Sequence, residues 1–122
     1  MRDSGQSTVE FALVLPLVMM VLLGLMQGGL LLRDQMVLSS AARDAAREAA
    51  VTADQSRIID AAHRSAPGMA MTVAIDRGPK RGDPVRVELG SRPTVVPLVG
   101  AIVSGMKIKA SAVMRVERAE GD

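Results

Sequence analysis

The chain has 122 residues, no cysteine and a formal net charge of +2, which leaves room for one small domain and excludes disulfides and thiolate metal sites. Phe11 is its only aromatic residue, so it lacks the stacking platforms of single-strand and RNA binders and the flat wall of a sugar pocket. Neither nucleic acid nor a small-molecule substrate is an expected ligand. Acidic and basic residues alternate after Arg33, so the pI of about 9.7 reflects a slight excess of Arg and Lys and no polyanion-binding block.

The first element is the run FALVLPLVMMVLLGLMQGGLLL, uncharged from Phe11 to Leu32. At about 1.5 Å per residue it reaches about 33 Å, enough to cross a hydrocarbon core of about 30 Å. A cleaved secretory signal needs a shorter core of roughly 7 to 15 residues and a small-x-small cleavage site. Here Leu30, Leu31 and Leu32 continue past the Gly24, Gly28 and Gly29 cluster, so the run reads as an anchor in a lipid bilayer. Pro16 lacks an N–H and crowds the carbonyl of Ala12, which predicts a bend or loosening of the helix. Gly24 and Gly28 form a small-xxx-small pair that would let a second helix approach closely. Charge alone, with Arg2 on one side and Arg33, Arg43 and Arg47 on the other, puts the C-terminal part in the cytoplasm.

Beyond the anchor, the stretch from Arg33 to Ala66 is rich in Ala and free of Gly and Pro, and predicts that the helix continues to Pro67-Gly68. Leu38, Ala42, Ala45, Ala49, Thr52, Ser56 and Ile59 recur at spacings of three and four. They lay a stripe of mostly small residues suited to close packing against a sheet or a neighbouring chain. Strands are expected over Met69 to Asp76 and Val85 to Leu89, around the turn-rich loop RGPKRGDP, and over Lys107 to Glu117. In the last, Ile108, Ala110, Ala112 and Met114 alternate with Lys107, Lys109, Ser111 and Val113, giving one buried and one wetter face. Between the second and third strands, SRPTVVPLVGAIVSG is apolar but broken by Pro93, Pro97 and Gly100. It is too short to span and suits a short helix lying on the sheet or on the bilayer surface. The expected fold class is α+β: a long N-terminal helix, transmembrane and then continuing outside, followed by a small three-stranded antiparallel sheet. A domain of about 90 residues buries only about 60 to 65% of its chain surface, which favours assembly with partners.

The residues before the anchor, MRDSGQSTVEF, place Glu10 at the mouth of an apolar helix, where an unpaired charge costs several kcal/mol in lipid. One reading is a capping box, Ser7-Thr8-Val9-Glu10, with Ser7 as N-cap and Glu10 bonding back. The arrangement also resembles the class III signal of type IV pilins and pseudopilins: a short polar leader with an Arg, then Gly5, then Glu10-Phe11 opening the apolar helix. Further along, GQSTVEFALVLPLVMMVLLGL followed by SSAARDAAREAA resembles the TadE family of tight-adherence (Flp) pilus systems. The opening is similar to its GQ-x-x-VEFAL-x-LP pattern, and the close, a proline-containing apolar insert before ASAVMRVE, resembles its ending more loosely. Where relatives often carry an acidic residue beside an aromatic, this chain has Gln27-Gly28-Gly29, and its outer domain lacks the family's aromatics.

The resemblance implies a pilin-like fold with a leader over residues 1–5, a transmembrane helix over 6–33 and an extracytoplasmic helix and sheet over 34–122. It implies a prepilin peptidase cutting between Gly5 and Gln6, so that Glu10 becomes the fifth residue of the mature chain. There the carboxylate would neutralise the amino terminus of a neighbouring pilin or pseudopilin during assembly, with Phe11 beside it and Pro16, Gly24 and Gly28 on packing surfaces of the anchor. It also implies a cytoplasmic N-terminus in the inner membrane, against the charge count. No enzymatic activity and no cofactor are expected. His63, the only histidine, reads as a solvated helix-end residue, and Asp44 and Glu48, beside Arg43 and Arg47, read as a solvated charged face and not a catalytic pair. The alternative is an unprocessed, signal-anchored accessory subunit of a membrane or secretion complex, with Glu10 acting only as a cap.

Overall fold

A computed structural model describes residues 3–118. Met1, Arg2 and the last four residues lie outside them. Helix α1 runs from Asp3 to Val51, α2 from Gln55 to Ser65, and α3 is a single turn, Gly100–Val103. Strands β1 (Met71–Arg77), β2 (Pro84–Ser91) and β3 (Ile108–Arg115) form one antiparallel sheet in the order β1-β2-β3. The α+β architecture and the three strands therefore lie where the sequence puts them, within two residues at most ends.

The two halves of α1 live in different surroundings. Residues 5–22 are exposed throughout, including Phe11, Leu13 and Leu17. Pro16 sits inside this stretch without ending the helix, since the turns on either side keep their own hydrogen bonds. Such a length of bare apolar helix is what a membrane or a protein partner covers. From Gln27 onward a face of α1 enters the domain, and Leu38, Ala41, Ala42, Ala45, Ala46, Ala49 and Ala50 are buried. Alanines here let the backbones of α1, α2 and the sheet come close, while Val85, Val87 and Leu89 of β2 supply the larger side chains. Each of those contributes about 1.5 to 3 kcal/mol by burial.

The expectation of one helix through Ala66 is corrected: the chain breaks at 52–54 and α2 folds back antiparallel along α1. Asp54 is the reason. Its backbone is extended, its Oδ1 accepts from the Ser56 N–H at 3.0 Å and the Ser56 hydroxyl at 2.7 Å, and its own N–H donates to Thr52 Oγ1 at 3.1 Å. A capping aspartate that satisfies an orphan N–H of the next helix ends the previous one without glycine or proline. The small-residue stripe is therefore buried as expected to Ala49, but Ser56 is exposed, and Ile58, Ala61 and Ala62 carry the inward face of α2.

Asp44 and Glu48 are likewise corrected from a solvated face to the clasp between the two helices. Asp44 Oδ2 accepts the Ser65 hydroxyl at 2.6 Å and Glu48 pairs with Arg57 at 2.7 Å. His63 is exposed in the last turn of α2, as expected. The far end of α1 is closed by Arg77, whose Nε donates to the Ala49 carbonyl at 2.8 Å, and by the Glu117 N–H, which donates to the Ala50 carbonyl at 2.8 Å. A cation there suits the negative end of the helix dipole.

The cap gives a pH prediction. The Ser56 hydroxyl and backbone N–H, with the Arg57 charge nearby, hold the Asp54 carboxyl below its ordinary 3.8. A depressed acid contributes its stability above the unfolded value and loses it as pH falls through the folded one. Asp54→Ala is therefore expected to lower the thermal midpoint of the domain at pH 7, measured by circular dichroism in detergent. The gap to wild type should close as the pH is taken below 3.8. A gap that persists unchanged in acid would contradict the capping role.

Candidate functional site

Two places on α1 carry polar groups that an apolar helix does not need. The first is the N-terminal turn region. Gly5 and Gln6 are already helical and exposed, and Gln6 Nε2 lies 3.5 Å from Glu10 Oε1, one turn away. The capping-box reading is corrected: α1 begins at Asp3, so Ser7 lies inside the helix and is not its N-cap. Glu10 is exposed on a bare helix with Phe11 beside it, 67% exposed. Further along, a Cβ added at Gly24 or Gly28 would meet nothing, so both positions leave room for another helix to approach. Nothing within the described residues brings Glu10, Pro16, Gly24 and Gly28 together into one cluster. They are spread along one open rod.

The second place was missed as a site by sequence reasoning. Gln27 is 4% exposed and Asp34 is 1% exposed, and both hold the segment between β2 and α3. Gln27 Nε2 donates to the Thr94 carbonyl at 2.9 Å while its Oε1 accepts from the Val96 N–H at 2.8 Å. Asp34 Oδ2 accepts from the Thr94 N–H at 2.6 Å. Gln35 Nε2 adds a bond to the Lys109 carbonyl at 2.9 Å. The amide of Gln27 thus reads the backbone as a strand would, with donor and acceptor both used. Gln27 and Asp34 are seven residues apart, two helical turns, and so share one face. That spacing was the available signal: a polar pair in register at the outer end of an apolar run.

Above them a wide groove of about 920 Å³ opens between α1 and the sheet, with Arg33, Arg92, Lys107 and Lys109 on its walls. Among the described residues, no three His, Cys, Asp or Glu side chains group as a metal site. What this chain offers is a bare apolar run with Glu10 at its mouth and a domain latched to the other half of the helix.

Residues 5–47 match the family model described as TadE-like protein. The match supports assignment of the chain to the TadE family. It covers the bare half of α1, Gln27 and Asp34, and the alanine-rich face as far as Ala46, and it stops before α2 and the sheet. The looser likeness over 85–117 lies outside it. No curated protein and no solved structure matches the chain. Helix α1 is long and apolar enough to cross a membrane by length and composition.

Proposed function

We propose that this chain is a pseudopilin or minor pilin of a tight-adherence pilus system, anchored in the inner membrane by α1 and cut after Gly5 by a prepilin peptidase. The observation that carries the reading is Glu10, an exposed carboxylate where the uncharged run of α1 begins, within the stretch that matches the TadE-like model. A carboxylate at that depth is satisfied only when a cation arrives, and the ammonium of a neighbouring processed subunit is such a cation. The soluble part is a surface for contacts with other subunits and performs no catalysis. The leader lies in the cytoplasm, where the peptidase acts, and the sheet outside.

A deletion and complementation test bears on this directly. Cells lacking the chain are expected to lose surface pili, counted by electron microscopy, and to regain them with the wild-type chain but not with Gly5→Leu. Normal piliation in the deletion strain would end the proposal.

A further inference from the structure

We infer that the segment between β2 and β3, residues 95–106, dips into the outer leaflet of the bilayer beside the anchor as a second, non-spanning lipid contact. The inference rests on the reading of α1 as a membrane span.

The hydrogen bonds fix its depth. If the hydrocarbon core begins near Phe11, about 20 helical residues cross it and its outer boundary falls near Leu30 or Leu31. Gln27 lies inside that boundary, and its amide holds Thr94 and Val96. The chain that follows Val96 therefore starts from within the apolar zone. It does not begin on a domain surface held clear of the membrane.

The segment's chemistry fits that depth. Val96 and Val103 turn inward and are buried, whereas Leu98 and Ile102 are 88% and 84% exposed. Leu98 has a φ of 74°, a left-handed backbone that a branched apolar residue seldom adopts. Val95 and Met106 extend the same apolar surface at 44% and 49% exposure. The two ends of the segment are marked by exposed Arg92 and Lys107, which share the groove wall with Arg33 at the end of the apolar run. An apolar tip below a basic collar is the pattern of a monotopic element whose cations sit among phosphate headgroups. The bonds from Gln27 satisfy the Thr94 carbonyl and the Val96 N–H at that depth, where lipid offers them no partner.

The absence of native cysteine makes the test clean. The full chain carrying Leu98→Cys, Ile102→Cys, Val18→Cys or Arg81→Cys is labelled with an environment-sensitive fluorophore. It is then reconstituted in vesicles of phosphatidylcholine and phosphatidylglycerol. Labels at 98 and 102 are expected to be quenched by lipid bearing a shallow nitroxide about twofold or more above the label at 81, and shielded from aqueous iodide. If the label at 18 is quenched by deep nitroxide lipid while those at 98 and 102 respond only to iodide, the inference fails and the span stands. Labels at 98 and 102 shielded from both quenchers would mean that a second copy covers the segment, which also overturns it. No quenching at 18 would remove the span and the inference with it.

Discussion

Replacing Gln27 with leucine is expected to release the 95–106 segment from α1 and to destabilise the domain by about 2 to 6 kcal/mol. Two backbone groups, the Thr94 carbonyl and the Val96 N–H, depend on this one side chain. Each loses its partner in a site where water is scarce, at about 1 to 3 kcal/mol apiece. The loss is large against the roughly 5 to 15 kcal/mol by which a typical domain is stable. Leucine is close in volume, so packing alone predicts little change. Gln27→Glu separates the two effects further: it keeps the shape but turns a carboxylate oxygen toward the Thr94 carbonyl, and is expected to be no better than leucine. Hydrogen exchange in micelles reads the result. The Val96 amide should lose its protection in Gln27→Leu, which removes its acceptor, while amides in the centre of β2 exchange as in wild type. Retained protection at Val96 in Gln27→Leu would show that the latch is held by something else.

Removing the charge at Glu10 is expected to have the largest effect on function. Glu10→Gln preserves size, helix propensity and hydrogen-bonding capacity, but an amide has no electrostatic preference for an incoming ammonium. The charge in lipid is costly while unpaired, so pairing it on assembly gives a driving force and a register that the amide lacks. We expect the variant to be processed and inserted like wild type, with recovery in the pilus fraction or in complexes with other pilins reduced by about tenfold or more, equivalent to 1.4 kcal/mol of lost coupling. Glu10→Asp, with its charge kept one methylene short, should fall between. Wild-type recovery of Glu10→Gln would remove the assembly role of Glu10 and favour the unprocessed accessory subunit.

The strands were legible because their alternation is simple. Ile108, Ala110 and Ala112 turn inward and Lys109, Ser111 and Val113 outward, as the period of two requires. The anchor was legible because nothing else needs so long an uncharged run. The break at 52–54 was obscured by the lack of glycine or proline, yet Asp54 two residues before Ser56 is a start signal for a new helix, and it outweighed an alanine-rich background. The opposite error occurred at Ser7-Thr8-Val9-Glu10. There the spacing of a capping box arises inside a helix that starts earlier, at Asp3. Gln27 stood out in the sequence as a departure from relatives. Its seven-residue spacing to Asp34 marks a shared helix face, but its role depends on Thr94 and Val96, residues far along the chain that the spacing does not name.

The central claim is that this chain is handled as a prepilin, and the mass of the mature protein tests it most directly. Membranes from the native host, solubilised and analysed by intact-mass and N-terminal peptide spectrometry, should yield a chain that begins at Gln6, with the Gly5→Leu variant retaining the leader. A chain that still carries Met1 to Gly5 in its assembled form would contradict the account.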